Sequence, residues 1–296
     1  MWLKTSAIQP YSNFMILLYQ MFSEKRTFSK VDSPIFTPYV ERLLDPNIHY
    51  YPTTCQPNDL QGDKRPKNNK VMVAFSGGKD SLAVAIKLMN EGKDVTLFFL
   101  QGINKSYTSE YQSAYNLAQK LGLPFVSWRV TQIGKSDFKE NPFKNGVILC
   151  LMVEAGYEYE ISEFAFGNQL EDNLSNCQYD REMSDSIEFF NMMKEYLNFV
   201  TINTYLKNDR DSFEIVYKYR PDLLEDIGSC ILPVFRRPFV KKANQKRFNI
   251  NTKYCGSCYK CAFEYLFKAE KGILPKNEAY ETHCKKILEK NSINLF

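Results

Sequence analysis

The chain has 296 residues, of which 44% are hydrophobic and 15% aromatic, and these values favour a folded core over a disordered chain. The formal net charge of +4 is mildly basic and does not by itself indicate a nucleic-acid partner. No apolar run approaches the roughly 20 residues of a membrane helix, and the first residues lack the pattern of a signal peptide. We therefore expect a cytoplasmic protein that does not contact a membrane.

Composition predicts three regions along the chain. Residues 1–65 are rich in aromatics and prolines, and we expect an N-terminal extension of short helices or extended segments. The polar, charged stretch 57–70 is typical of a linker or an exposed loop, and it leads into the main domain. The organisation we expect is an extension over 1–65, a main domain over 66–228 and a cysteine-rich region over 229–296.

From Lys70 onward, apolar runs alternate with helical patterns. Strands are predicted over residues 71–75, 95–100, 125–131, 163–166 and 199–202, and helices over 82–89, 111–121, 147–159, 185–196 and 212–219. This alternation predicts an α/β fold with a mostly parallel, doubly wound, Rossmann-like sheet. Ligands of such sheets bind beyond the carboxyl ends of the strands, so the loops 76–81, 101–109 and 167–181 should face one cleft.

The first predicted strand ends in Ser76-Gly-Gly-Lys-Asp-Ser81, and a helix pattern follows at once. A strand, a glycine loop and a helix N-terminus together form a typical anion site, because glycines admit the ligand and backbone amides face it. Lys79 adds a positive charge, while Asp80 could hold Mg²⁺ or a substrate amine. The spacing matches neither the common nucleotide-binding loop nor the dinucleotide fingerprint. A plain turn rich in glycine and serine is the alternative.

This hexapeptide resembles the pyrophosphate (PP) loop of the ATP pyrophosphatase superfamily. The resemblance implies enzymes that split ATP between its α and β phosphates, adenylate a carboxyl or carbonyl oxygen, and let a nitrogen or sulfur nucleophile displace AMP. It also implies an ATP and Mg²⁺ site made of Ser76, Gly77, Gly78, Lys79, Asp80 and Ser81, together with Gly102 in the second loop. Lys79 and Asp80 would be the catalytic residues.

Three cysteines, Cys255, Cys258 and Cys261, follow one another at intervals of three residues. Two Cys-x-x-Cys turns that share a residue can direct three thiolates at one tetrahedral Zn²⁺. We prefer Cys230 as the fourth ligand, with Cys284 or the neighbouring His283 as the second choice. Redox or sulfur-carrier chemistry at one Cys-x-x-Cys is the competing interpretation.

A basic segment lies between Cys230 and Cys255. Residues 236–247 hold six lysines and arginines and no acidic residue. Most such segments are solvated surfaces, and contact with nucleic acid is the less favoured alternative.

The loop and the cysteines together resemble the 7-cyano-7-deazaguanine synthase family over roughly residues 70–273. The similarity includes Phe166-Gly-Asn168, the stretch Tyr179–Met183, Ser229-Cys230 and the three later cysteines. It implies a deazaguanine carboxylate and ammonia as substrates, a zinc site and a homodimer. Asn168, Asp180 and Arg181 are the candidate substrate-binding residues.

The chain departs from this family in ways that leave the acceptor open. About 24 residues separate Cys230 from Cys255 where the family has a short spacing, and residues 172–178 differ from its deazaguanine-binding segment. A protein amine or a nucleic acid could therefore be the final nucleophile, although neither is favoured. The rival functions are a tRNA sulfurtransferase of the same superfamily and a non-catalytic nucleotide-binding module.

Overall fold

The computed structural model describes residues 28–31, 50–53, 67–101, 107–129, 144–169, 200–206, 208–227, 237–249 and 254–291. The chain divides into two compact units, Met1–Asn208 and Asp209–Phe296. In the described part of the chain, no helix is both long and apolar enough to cross a membrane. The division predicted from composition, at residues 65 and 228, stays a prediction.

The described part of the first unit contains two parallel sheets. A pair of short strands, β1 (Phe28–Val31) and β2 (Tyr50–Thr53), forms the smaller sheet. The larger sheet has five strands, namely β3 (Lys70–Ala74), β4 (Asp94–Gln101), β5 (Phe125–Arg129), β6 (Glu163–Gln169) and β7 (Thr201–Leu206). Its spatial order is β5-β4-β3-β6-β7, and all four pairings are parallel.

The strand order confirms the predicted fold class. Counted in chain order, the five strands lie as 3-2-1-4-5, which is the order of a doubly wound sheet whose direction of winding reverses beside the first strand. The reversal lies between β3 and β6. Because all strands are parallel, the carboxyl ends of β4, β3 and β6 lie side by side at one edge, as the sequence predicts for their loops.

Three described helices accompany this sheet: α1 (Lys79–Asn90), α2 (Tyr107–Leu121) and α3 (Lys144–Glu158). α1 contacts β3, β4, β6 and β7, so it is buried along most of its length. β3 and β4 form the core of the sheet, and Val71, Val73 and Leu97 have no exposed surface.

Several element boundaries differ from the sequence expectation, and all three described helices beside this sheet begin earlier than predicted. The loop expected to reach residue 109 ends earlier, because α2 already begins at Tyr107. Its first turn is polar, so hydrophobic spacing did not reveal it. β6 continues through Gly167 to Gln169, with an irregular register against β7, and β7 itself extends to Leu206. The predicted helix over 185–196 lies outside the described residues.

The second unit is helical where the structure describes it. It contains α4 (Asp209–Tyr219), a 3₁₀ turn (Pro221–Leu223), α5 (Arg237–Phe248), α6 (Tyr259–Glu270) and α7 (Glu278–Lys290). α6 is the central helix and is buried from Cys261 to Ala269. Phe213 of α4 stacks on two of its rings, at centroid distances of 5.8 Å to Phe263 and 5.2 Å to Phe267.

A buried ion pair lies within α6. Lys268 has no exposed surface, and its Nζ donates to the Glu264 carboxylate at 2.9 Å and to the Leu224 carbonyl oxygen at 2.6 Å. Glu264 is only 1% exposed. The lysine thereby links α6 to the segment that follows the 3₁₀ turn.

Replacing Lys268 with Met is expected to lower the free energy of unfolding by about 3–5 kcal/mol, because Glu264 is left charged and buried without this partner. Urea denaturation measures the change. Lys271→Met is the matched control, since Lys271 is 22% exposed and its pair with Glu214 lies near the surface; we expect a loss below about 1 kcal/mol. Equal losses in the two variants would show that the buried pair is not the cause.

Candidate functional site

Among the described residues, each unit has a candidate site, and the first is the loop between β3 and α1. The buried strand β3 ends with Ala74, and the backbone N–H of the next residue, Phe75, donates to the Phe98 carbonyl oxygen of β4 at 2.8 Å. α1 begins four residues later, at Lys79, with Gly78 as its N-cap. A very short loop therefore connects the strand to the positive, N-terminal end of a helix. This loop lies at the sheet edge where ligands of this fold class bind.

The two glycines of the loop meet different constraints. Gly77 has a φ of +74°, and a Cβ there would lie 2.9 Å from the Ala114 Cα of α2, so the turn requires glycine. Gly78 has a φ of −78°, and the nearest atom to a Cβ there would be the Ser76 Oγ at 3.3 Å. Gly77 thus permits the fold of the loop, whereas Gly78 leaves space at the helix N-terminus.

The two serines stabilise the loop from within. Ser76 Oγ accepts a hydrogen bond from the Gly78 N–H at 3.3 Å, and Ser81 Oγ donates to the Gly78 carbonyl oxygen at 3.1 Å. The two hydroxyls are 3.5 Å apart. Gly78 has no side chain, so no side-chain oxygen of the N-cap occupies the space in front of the first turn of α1.

Lys79 and Asp80 place opposite charges at this helix end. The Lys79 side chain is only 3% exposed, and its Nζ lies 2.6 Å from Asp80 Oδ1. The Asp80 side chain is 30% exposed. A buried ammonium beside a carboxylate that still faces solvent is suited to a phosphate with its divalent cation, because each charge on the ligand meets the opposite charge on the protein.

Gly167 of β6 brings a second strand to the same helix end. A Cβ on Gly167 would lie 2.8 Å from both the Asp80 carbonyl carbon and the Ser81 nitrogen. The sequence pattern predicts Gly167 at the end of a strand, and hydrophobic spacing does not predict this contact. The signal was available in the Phe-Gly-Asn motif, since a glycine inside a strand marks a close approach of backbone.

Replacing Gly167 with Ala is expected to lower the free energy of unfolding by about 1–3 kcal/mol, because backbone atoms of α1 must move to admit the methyl group. Chemical denaturation monitors the change. Gly78→Ala serves as the control, since its backbone suits alanine and its neighbour is a serine hydroxyl; we expect a change below about 1 kcal/mol. A Gly167 variant as stable as the control would contradict the close packing of β6 on α1.

The structure brings together six of the predicted ATP-site residues: Ser76, Gly77, Gly78, Lys79, Asp80 and Ser81. Asn168 lies in β6, directly after Gly167, rather than in a loop beyond the strand. Gly102, Asp180 and Arg181 lie outside the described residues. The roles expected for these residues stay predictions.

The second candidate site is the cysteine cluster at the start of α6. The Sγ atoms of Cys255, Cys258 and Cys261 all lie within 4.8 Å of one another. Cys258 is the N-cap of α6 and accepts a hydrogen bond from the Cys261 N–H at 3.4 Å; Cys255 Sγ accepts one from the Ser257 N–H at the same distance. Backbone donors of this kind stabilise thiolates.

The cluster fits a tetrahedral metal site. With Zn–S bonds of about 2.3 Å, two thiolates on one zinc ion lie about 3.8 Å apart. Cys255 Sγ and Cys258 Sγ are 3.5 Å apart, close to that separation and far longer than a disulfide bond. All three cysteines are buried, whereas reactive cysteines are typically accessible. The donor set therefore favours a structural metal over redox chemistry.

Side chains from two other helices hold the loop that carries Cys255. Asn244 of α5 donates to the Cys255 carbonyl oxygen at 2.7 Å and to Ser257 Oγ at 3.0 Å. His283 of α7 donates from Nε2 to the Gly256 carbonyl oxygen at 2.8 Å. Gly256 has a φ of +67°, and a Cβ there would lie 2.7 Å from the Tyr280 hydroxyl oxygen. The supporting role of Asn244 was not predicted, because its partners lie outside its own helix, 11 and 13 residues further along the chain.

The fourth ligand stays a prediction, with Cys230 as the first choice and Cys284 or His283 as the second. Cys230, the preferred choice, lies outside the described residues. Cys284 is fully buried in α7, but it does not belong to the group of thiols within 4.8 Å of one another. Burial raises the pKa of Cys284 to about 12, and the Cys255 and Glu281 charges act in the same direction. His283 uses Nε2 for the loop carbonyl, so this nitrogen supports the cluster from outside.

Comparison with known proteins identifies no family for this chain. No protein-family profile matches it, and no curated protein matches it.

Three solved structures show partial overlaps. One is described as a predicted subunit of tRNA methyltransferase from Methanocaldococcus jannaschii, with 19% identity, a TM-score of 0.32, and 59% of this chain and 88% of that chain covered. NMN synthetase from Francisella tularensis shares 12% identity at a TM-score of 0.32, over 57% and 91%. NH3-dependent NAD synthetase from Campylobacter jejuni shares 11% at a TM-score of 0.37, over 80% and 90%. The fold assignment rests on the strand order given above.

Proposed function

We propose that the protein uses ATP to adenylate a carboxylate, with release of pyrophosphate, and then transfers the acyl group to nitrogen. The observation that carries the proposal is the Lys79–Asp80 pair at the N-terminus of α1, beside the point where the sheet reverses its winding. A buried cation, an accessible carboxylate and an open helix end lie where doubly wound folds bind their ligands.

In the adenylation step, a carboxylate oxygen of the substrate attacks the α phosphorus of ATP, and the bond to the β phosphate breaks. The negative charge that develops on pyrophosphate is stabilised by the Lys79 ammonium and the amides of the first helical turn. Asp80 would hold Mg²⁺, which supplies further charge neutralisation on the phosphates. The product is an acyl adenylate, whose carbonyl carbon is now a good electrophile.

The nucleophile we favour is ammonia, and the substrate we favour is 7-carboxy-7-deazaguanine. Ammonia adds to the acyl carbon, AMP leaves, and a proton is lost to give the amide. A second ATP would adenylate the amide oxygen, and loss of AMP with two protons would give the nitrile. This choice is supported by the motif resemblance of residues 70–273, and Asn168, Asp180 and Arg181 are the proposed substrate contacts.

The test is incubation of the full chain with ATP, Mg²⁺, ammonia and 7-carboxy-7-deazaguanine, with mass spectrometry of the products. We expect amide and nitrile, with two AMP formed for each nitrile. AMP without nitrile would support adenylation but overturn the deazaguanine nitrile as product. No AMP with this acid or with a panel of other carboxylic acids would overturn the proposed activity and favour the non-catalytic nucleotide-binding module.

The sulfurtransferase alternative is less well supported by the described cysteines. Persulfide chemistry requires an accessible thiolate, yet Cys255, Cys258, Cys261 and Cys284 are each no more than 5% exposed. One tightly bound zinc per chain would favour the synthase. Loss of activity on alkylation of a single metal-free thiol would favour sulfur transfer.

A further inference from the structure

The positive charge of the protein is concentrated in the second unit. Residues 209–296 contain 17 lysines and arginines against 11 acidic residues, a net charge of +6, whereas the whole chain carries +4. Between Asp226 and Glu264 there are eight basic residues and no acidic one. An asymmetry of this kind indicates a surface suited to a polyanion.

Helix α5 lies within this basic stretch, and one of its faces packs against other residues of the second unit. Asn244 is buried and holds the cysteine loop through two hydrogen bonds. One turn later, the Phe248 ring lies 5.2 Å from the Tyr280 ring and 4.8 Å from the His283 ring of α7. The helix is thereby fixed in orientation, and the residues opposite Asn244 must face away from the unit.

The residues opposite Asn244 form an exposed face that we call the α5 outer face: Phe239, Lys242 and Lys246. Spacings of three and four residues place them in one row along the helix. Phe239 is 79% exposed, against 43% or less for the other exposed large hydrophobic residues in the described part of the chain. No carboxylate among the described residues pairs with Lys242 or Lys246.

We propose that the α5 outer face binds single-stranded nucleic acid. The two lysines are placed to contact phosphates, and the Phe239 ring offers a platform on which an unpaired base can stack. An anionic membrane is a poorer match, because a helix that lies in a bilayer surface presents a continuous apolar stripe, whereas this face has a single aromatic residue followed by two lysines. The α5 outer face thus recognises a phosphodiester chain with accessible bases.

The test measures binding of fluorescently labelled 20-nucleotide single strands, both RNA and DNA, to the full chain by anisotropy at several salt concentrations. We expect Lys242→Glu with Lys246→Glu to lower affinity at least tenfold at low salt and to flatten the slope of log K against log salt by about 1.4, because two phosphate contacts are lost. Phe239→Ala is expected to lower affinity about tenfold without changing that slope.

The matched control is Lys285→Glu with Lys286→Glu, which makes the same charge change at exposed positions of α7. A smaller loss in this control supports the assignment to α5, whereas an equal loss shows a diffuse charge effect and overturns it.

Equal affinity for a blunt duplex overturns the stacking role of Phe239. Absence of strand binding, or binding of phosphatidylserine vesicles in its place, overturns the proposal. AMP release by the α5 variants with a small acid should stay unchanged, which separates this inference from the proposed activity.

Discussion

Replacing Lys79 with Ala is expected to abolish release of pyrophosphate, with a loss of at least about 10²–10³-fold. The size follows from removal of one pre-organised group that stabilises the leaving group; loss of a single oxyanion-hole donor costs about 2.7–4 kcal/mol, and we expect at least this effect for a full charge. Because Lys79 Nζ lies buried against Asp80 at the N-terminus of α1, nearby solvent or another flexible side chain cannot easily replace it. A coupled phosphate assay with pyrophosphatase measures the rate.

The fold of the Lys79 variant should survive, and this makes the prediction specific. Asp80 keeps 30% of its side chain in contact with solvent, so loss of its partner carries a modest penalty. Thermal unfolding and far-ultraviolet circular dichroism check this point. Lys87→Ala is the matched control, because Lys87 lies in the last turn of the same helix. Wild-type rates in the Lys79 variant would refute the assignment of the loop, and equal losses in both variants would indicate a general effect on α1.

Replacing Cys258 with Ala is expected to remove bound zinc and to unfold much of the second unit at 37 °C. Cys258 has two roles in the structure, as a member of the thiol cluster and as the N-cap of α6. Loss of the cap alone costs about 0.5–2 kcal/mol. Loss of a structural zinc costs far more, since its apparent binding free energy of about 10–16 kcal/mol acts as folding free energy.

Metal analysis of the purified protein measures the zinc content, and thermal unfolding with and without a chelator measures the stability. Chelation of the wild type should reproduce the Cys258→Ala behaviour. Cys230→Ala and Cys284→Ala form a matched pair: the variant that loses zinc carries the fourth ligand, and the other keeps one zinc per chain. Full stability of metal-free wild type would show that the cluster is not a folding element.

Local patterns in the sequence were enough to predict the sheet and the loop. Buried parallel strands form continuous apolar runs, and Val71–Phe75 and Val95–Leu100 have this character. Ser76–Ser81 contains its glycines, lysine and aspartate within six residues, so one short segment specifies most of the anion site. The spacing of Cys255, Cys258 and Cys261 likewise requires only one turn and the start of one helix.

The sequence did not predict the polar start of α2 or the continuation of β6 past Gly167, because neither feature has a local hydrophobic pattern. Hydrophobic spacing indicates which side of an element is buried. It gives no signal where a helix begins with polar residues or where a strand continues beyond its apolar part. Similarly, no local sequence pattern indicates that Asn244 is buried while nearby lysines are exposed. Its burial follows from contact with Cys255 and Ser257.

The sequence by itself determined the fold class, the phosphate-type loop and the three clustered thiols, because each depends on residues close together in the chain. Only the tertiary structure decided that Gly167 packs on the first turn of α1, that Asn244 and His283 support the cysteine loop, and that Phe239 faces outward beside two lysines. These features depend on which distant segments become neighbours, and that choice is made by the packing of the whole unit rather than by any local pattern.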